Sequence, residues 1–312
     1  MKKIVFHSNQ LGVRGTEVAL YDHAEANESV LGNKSYIASK RNSDLFALKK
    51  FEDRFEVFLY DTVEELDGFC ASIGAYGIYL CRSGETEFLL KSVKNLVYTV
   101  FNVNEPHGDK YIYISKWLAE VNNKPDDYIP YIVTLPEVSG DLREELNIPK
   151  DAFVWGRHGG ANQFDIPVVR LIVYKFAVEN PNTYFLFMNT DNFCPDLPNI
   201  IHLPPNYDLE HKVKFINTCN AMIHGRAMGE SFGLAISEFL FMDKPVVAWT
   251  GGHDQNHRVM LEHTGLMYSN EEDLKQLLSK ETFDYEPGYF KKIVEEFSPA
   301  NVMRRFDEKF LN

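Results

Sequence analysis

Two glutamates, Glu230 and Glu238, bracket the stretch "GESFGLAISE". The second sits among Ile236, Phe239, Leu240 and Phe241, on what reads as a mostly buried helix. A buried carboxylate without partners costs several kcal/mol, so Glu238 needs donors. Ser231 reads as the N-cap and Phe232 as the start of the helix. Gly233 then falls in the first turn, where the missing side chain lets a ligand approach the backbone. Unpaired amides and the positive end of the dipole make that turn a phosphate site. Glu238 lies six residues further in, roughly 9 Å along the axis. A vicinal diol there would supply Glu238 with two donors, and Glu230 could meet a second sugar on the other side of the phosphates. A molecule with sugar, diphosphate and ribose in that order has this shape. The alternative is that a cap or salt bridge within the protein satisfies Glu238.

Other residues could serve the same chemistry. Arg157 follows the apolar run "FVW" and precedes "HGG". An arginine grips phosphate oxygens in a bidentate fork, and the glycines leave room beside it. Arg226 lies four residues before Glu230; it either pairs with that glutamate or contacts the ligand. Gly12 and Gly15 flank the turn after the first strand, where the following helix offers free amides. His107, in "NEPHGD", has Glu105 as a neighbour able to set its tautomer. Asn162 and Asp165 could line the site, with Asp165 also read as the N-cap of a helix beginning at Ile166. "GGHDQNH" (251–257) holds two histidines and an aspartate, but its spacing matches no metal motif.

These residues cluster after short apolar runs that alternate with amphipathic ones. "KIVFHS", "KSYIAS", "RFEVFLY", "YGIYLC", "VKNLVYTV" and "DKYIYIS" read as strands in the first half. "FVWG", "TYFLFM", "NIIHLP", "AMIHG" and "KPVVAW" do so in the second. Helical spacing lies between most of them, including "ETEFLLKS", "DLREEL" and a helix capped by Ser43. Strands alternating with helices predict two α/β domains of βαβ units with parallel sheets. A turn-rich stretch puts the boundary near residue 137, giving domains 1–136 and 137–298. The tail 299–311 reads as an amphipathic helix, capped by Ser298 and with Pro299 at its first helical position. Open parallel sheets bind ligands outside the carboxyl ends of their strands, and that is where the candidates fall.

The 312 residues suffice for two cores. A net charge of −13 and the lack of a basic cluster argue against nucleic acid. Four cysteines without C-x-x-C spacing read as buried thiols of a reducing compartment. "IVF" is too short a run for a secretory signal, and no run is long enough to span a bilayer, so a cytoplasmic site is expected.

The stretch "GESFGLAISEFLFMDKPVVA" resembles the E-x7-E signature of glycosyltransferase family 4, with Glu230, Glu238, Gly233, Leu234 and Pro245 in matching positions. "LREELNIPKDAFVWGR" is similar to that family's entry into its C-terminal domain, and "QLGVRGTEVAL" resembles its N-terminal G-G-x-E loop. The resemblance implies the GT-B fold, two Rossmann-like domains facing a central cleft, with the final helix, here 299–311, packing back on the first domain. It implies a retaining, metal-independent transfer of a hexose from a nucleoside diphosphate sugar to a glycan, lipid-linked or small-molecule acceptor, with no cofactor. Glu230 would touch the hexose, Glu238 the ribose, and Arg157 the diphosphate. His107 would reach the hexose or the reacting centre, and Tyr207 the nucleobase. Ser231, Phe232, Gly233 and Leu234 would form the phosphate end of the site. The family's lysine some five residues after the arginine is Asn162 here, and Arg226 is the candidate to replace it. An epimerase, an inverting transferase and a non-catalytic nucleotide-sugar binder are the rival readings.

Overall fold

The computed structural model describes residues 1–12 and 15–312. The chain forms two compact units, Met1–Ile132 with Glu296–Asn312, and Val133–Glu295. In the first unit the elements run β1 (Lys3–Ser8), α1 (Gly15–Ser29), β2 (Lys34–Lys40), α2 (Leu45–Glu52), β3 (Glu56–Tyr60) and α3 (Val63–Ser72). They continue with β4 (Gly77–Arg82), β5 (Lys94–Thr99), β6 (Lys110–Tyr113) and α4 (Lys116–Val121). The six strands are parallel and ordered β3-β2-β1-β4-β5-β6. Strand β4 is buried at all six positions, as a central parallel strand covered on both faces must be.

The second unit holds β7 (Phe153–His158), α5 (Pro167–Glu179), β8 (Thr183–Met188), β9 (Ile200–Leu203), α6 (Leu209–Thr218) and β10 (Ala221–Ile223). Then come β11 (Gly229–Glu230), α7 (Leu234–Phe241), β12 (Val246–Trp249), β13 (Asp254–Gln255) and α8 (Asn256–Leu261). The last are β14 (Met267–Tyr268), α9 (Glu271–Leu278) and α10 (Tyr289–Ile293). Its main sheet is ordered β14-β12-β10-β7-β8-β9 and is again parallel. The short strands β11 and β13 pair separately, Glu230 opposite Gln255.

Both sheets have the same topology. The chain starts in the middle, winds outward to one side, returns to the middle and winds to the other. Strand order therefore reverses between β1 and β4, and between β7 and β10. Helices leave the sheet on opposite faces on the two sides of such a point, which opens a crevice beyond the strand ends.

The chain re-enters the first unit as α11 (Pro299–Phe306). Phe306 lies 6.0 Å from Phe6 and 5.8 Å from Tyr79, ring to ring, and the Tyr76 hydroxyl donates to the Leu311 carbonyl. Among the described residues no helix is long and apolar enough to cross a membrane.

Three local expectations fail. Residues 85–92 form no helix. Their amides go to side chains instead: Leu90 N–H to Asn95, Lys91 and Ser92 N–H to Asp67, Thr86 N–H to Glu105. The stretch 141–146 makes turns only, because the Arg143 amide bonds back to the Asp141 carboxylate and Asn147 takes a left-handed φ of 54°. Helix α2 is capped by Asp44, which accepts from the Ala47 amide; the Ser43 hydroxyl instead accepts from the Leu11 amide.

Candidate functional site

In the second unit the crevice between β7 and β10 is lined by Arg157 and His158 at the end of β7 and by His224 just past β10. Arg157 is 4% exposed. Its Nη1 donates to the Thr190 hydroxyl at 2.6 Å, and its guanidinium lies over the Phe164 ring. Among the described residues no carboxylate touches it. Burial, with Arg226 and Arg170 nearby, pulls its pKa down to about 10, and Glu230 and Asp165 act the other way. The arginine thus remains charged at neutral pH with most of its fork unclaimed. Gly159 lies beside it; a side chain there would come within 3.2 Å of Nη2.

Glu230 faces the same crevice. Its Oε2 accepts from Arg226 Nη1 at 2.8 Å, and Oε1 lies 3.4 Å from His224 Nε2. Burial alone would raise its pKa, but His224, Arg226 and His257 outweigh it and hold the carboxyl below its ordinary value. The loop carrying Glu230 is pinned from α8. Asn256 donates to the Phe232 carbonyl at 2.8 Å, and His257 Nε2 lies 2.8 Å from the Trp249 carbonyl. That bond puts the proton on Nε2, since a carbonyl only accepts.

The ladder between β11 and β13 fixes Glu230 through Gly229. This glycine has a φ of 77°, and a Cβ there would sit 2.0 Å from the Asp254 carbonyl oxygen. Gly229→Ala is expected to cost the backbone strain of about 1–3 kcal/mol and to split the ladder. Thermal melts should show the loss, and Glu230 should leave its place beside Arg226. A variant with unchanged melting temperature would show that the loop accommodates the side chain.

Helix α7 begins differently from the sequence reading. Ser231 is not its cap and Phe232 is not its first residue. Gly233 is the N-cap, at φ 95°, and Leu234 opens the helix. Only glycine takes that left-handed turn without strain. Phe232 is 2% exposed, so its ring belongs to the core. Asp165 caps no helix either; its carboxylate accepts from the Ala227 amide, and Ile166 precedes α5.

Glu238 on α7 is buried, as expected, but its partners are in the protein. Oε1 accepts from Lys212 Nζ of α6 at 2.8 Å, and Oε2 lies 3.1 Å from His158 Nε2, out of hydrogen-bond line. Burial acts to raise its pKa; Lys212 and His158 outweigh it and hold the carboxyl at about 2. Of the two readings of Glu238, the structure shows the salt bridge within the protein: Lys212 balances its charge, and burial holds the neighbouring His158 below its ordinary pKa. An ionised carboxylate has about four lone-pair sites, and the bond from Lys212 takes one of them.

The remaining candidates scatter. Asn162 is exposed in the turn after β7, and Tyr207 is 50% exposed in the loop after β9. His107 stands in the first unit. Arg82 donates to its Nε2 at 3.4 Å, which leaves the proton on Nδ1 to donate to the Glu105 carbonyl at 2.7 Å. The Glu105 carboxylate does not orient it, being bonded to the Thr86 amide. Gly12 is half-buried and Gly15 opens α1, while Val13 and Arg14 between them lie outside the described residues. Among the described residues no group of three His, Cys, Asp or Glu is placed to hold a metal ion.

Thr190, His224, His158 and Lys212 were not singled out from sequence, and His257 was noted only within the 251–257 stretch. His224 closes a strand and heads the loop that carries Glu230, which was a usable signal. Lys212 carried none, since it stands 26 residues from Glu238.

No protein-family model matches the chain, and no curated protein matches it. Solved structures do. HepE from Anabaena, in complex with UDP-glucose, superposes with a TM-score of 0.71 at 12% identity over 99% of each chain. A glycosyltransferase from Rickettsia africae gives 0.71 at 12% identity, covering 98% of this chain and 97% of its own. AviGT4, a glycosyltransferase involved in avilamycin A biosynthesis, gives 0.64 at 11% identity over 100% and 97%. At such identity the likeness speaks for the fold: the chain has the GT-B fold, two Rossmann-like units with parallel sheets.

Proposed function

We propose that the chain is a glycosyltransferase that moves a hexosyl group from a nucleoside diphosphate sugar to an acceptor hydroxyl, with retention of configuration. The observation that carries this reading is Arg157, a buried cation at the strand-order reversal with no carboxylate partner among the described residues, near an ionised Glu230. A diphosphate takes the open fork of Arg157, with Arg226 and the amides at the start of α7 as further donors. Arg226 stands in for a lysine at Asn162. Glu230 orients the hexose through its hydroxyls. Glu238, fixed by Lys212 and His158, offers its remaining lone pairs to the ribose, and Tyr207 lies open to the base. That the solved HepE holds UDP-glucose on the same fold supports this choice of donor.

In the reaction the bond between the anomeric carbon and the phosphate oxygen breaks, and a bond to the acceptor oxygen forms. The acceptor's proton passes to the departing diphosphate on the same face, so no separate base is required. His107 is then a recognition residue, because its Nε2 lone pair already accepts from Arg82. Stabilisation of the leaving group falls to arginines and amides, and no metal is needed. The four unpaired cysteines accord with a reducing, cytoplasmic setting.

A thermal-shift panel of UDP, GDP and ADP with their sugars tests the donor. One nucleotide class is expected to raise the melting temperature, with a chelator making no difference. NMR of the product from donor and acceptor is expected to show the donor's anomeric configuration. An isomerised donor with no acceptor consumed would make the chain an epimerase. Binding without turnover would make it a sensor, and silence across the panel would end the reading.

A further inference from the structure

Phe164, Phe187, Phe193 and His202 form one cluster of rings beside Arg157. Phe164 lies 5.1 Å from Phe187 and 5.3 Å from Phe193, centre to centre. His202 lies 5.1 Å from Phe187, stacked on it, and 5.3 Å from Phe193. The Arg157 guanidinium lies over Phe164. Arg170 lies over Phe193, and its Nε donates to the Phe164 carbonyl. His202 stands on β9 opposite Phe187 of β8. Its Nδ1 is 3.1 Å from the Thr190 carbonyl. A carbonyl only accepts, so the proton sits on Nδ1 and Nε2 keeps a bare lone pair. That Nε2 is buried and has no donor, which is costly and rare. A phenylalanine would stack on Phe187 without that cost. What the imidazole adds is the bond to Thr190. The same peptide plane is pinned at its other edge, where the Asp191 amide donates to the Ala161 carbonyl at 2.7 Å. Asn189, at φ 51°, donates through Nδ2 to the Gly159 carbonyl at 2.6 Å. The Thr190 hydroxyl is thereby set 2.6 Å from Arg157 Nη1, and it accepts, since an arginine nitrogen only donates.

We infer that Thr190 and His202 are positioning residues for Arg157: the hydroxyl orients the guanidinium, and the imidazole holds the peptide that carries the hydroxyl. A neutral acceptor suits this task. A carboxylate would hold Arg157 as firmly but would neutralise it, and an incoming anion would have to displace it. A hydroxyl orients the fork and leaves its full charge for the ligand. The ring cluster is uncharged for the same reason. Phe164, Phe187 and Phe193 carry no charge, and burial holds the His202 imidazole below its ordinary pKa against the Thr190 carbonyl and Asp196. Arg157 is thus oriented before any ligand arrives, at no cost to the charge that the ligand needs. That the ligand is a diphosphate rests on the transferase reading; the positioning of Arg157 stands without it.

The test is read at Arg157 itself, by NMR of the full chain labelled with 15N. The Arg157 Nε–Hε resonance is identified by its absence from Arg157→Met, and its heteronuclear NOE reports how firmly the side chain is held. In the ligand-free wild type that NOE is expected to match the ordered backbone. Thr190→Val, which keeps the shape and removes the acceptor, should lower it to the value of exposed arginines. Thr190→Ser, which restores a hydroxyl, should recover it. His202→Phe keeps the ring stack and loses the donor, so it should loosen Arg157 as well. His202→Asn, whose Nδ2 can take the place of Nδ1, should restore it. UDP affinity should follow: about tenfold weaker in Thr190→Val and His202→Phe, the worth of one hydrogen bond, and near the wild type in Thr190→Ser and His202→Asn. An Arg157 resonance as rigid in Thr190→Val or in His202→Phe as in the wild type would overturn the inference for that residue. So would a loss of order that Thr190→Ser and His202→Asn fail to reverse, since both residues would then be plain parts of the packing. Loosening of Arg157 with UDP affinity unchanged, or with UDP bound by none of the proteins, would leave the positioning in place and count against the donor reading.

Discussion

Arg157→Met is expected to abolish donor binding while leaving the protein at least as stable as the wild type. The two halves of this result have separate causes. In the ligand-free protein Arg157 is 4% exposed and its nearest side-chain acceptor is the neutral Thr190 hydroxyl. Desolvating a cation costs several kcal/mol, and one neutral acceptor returns little of it. Exchange of such a charge for an apolar side chain of similar length is often neutral, or stabilising by about 1–4 kcal/mol. The fold therefore holds Arg157 at a cost, and the cost is recovered only when an anion arrives. With a diphosphate bound, the arginine supplies charge-assisted, bidentate hydrogen bonds in a site that excludes water. Removal of one such donor from a developing anion slows turnover by about 10²–10³. Arg157→Lys should recover only part of this, because an ammonium cannot form the fork. Thermal melts with and without UDP-sugar, followed by steady-state turnover, read both halves. A large fall in melting temperature with donor affinity intact would make Arg157 a structural residue and remove the central support for the proposed function.

The sequence and the structure agree where the physics is local. A parallel strand covered on both faces must be an apolar run, so "FVWG" and "YGIYLC" are legible without coordinates. The helices between them keep their amphipathic spacing. Placing Arg157 at a strand end needed only the rule that loops follow strands. What was hidden depends on pairing across the chain. Residues 85–92 have helical spacing, yet Asp67 and Asn95 claim their amides. Ser231 has the chemistry of a cap, but the left-handed turn at Gly233 moves the helix start two residues on. Glu238 was visible as a buried acid, while its partners stand far away in sequence, on α6 and β7. The Arg157, Thr190 and His202 group is likewise assembled from β7, the end of β8 and β9, which become neighbours only when the sheet forms. A pattern of burial can reveal that a charge needs a partner; it does not say whether protein or ligand supplies it.

That distinction makes the Lys212 and Glu238 pair the second strong test. Lys212→Met alone should cost about 3–5 kcal/mol at neutral pH, since it strands a buried carboxylate with only His158 beside it. Glu238→Leu alone should cost a similar amount by leaving the lysine, 15% exposed, unpaired. The double variant should recover most of the stability, because two apolar side chains replace a mutually satisfied pair. The pH dependence has a definite sign. The folded protein holds the Glu238 carboxyl at about 2, below its ordinary value of 4.5. Its contribution is thus fully present above pH 4.5 and is lost as pH falls through 2. The double variant should lack this component of acid unfolding. Nucleotide affinity then separates support from recognition. If Glu238 also receives the ribose, the double variant will be stable yet bind UDP about ten- to a hundredfold more weakly, the worth of hydrogen bonds to a charged acceptor. Recovery of stability and affinity together would mean that the lysine and histidine are the only partners Glu238 has.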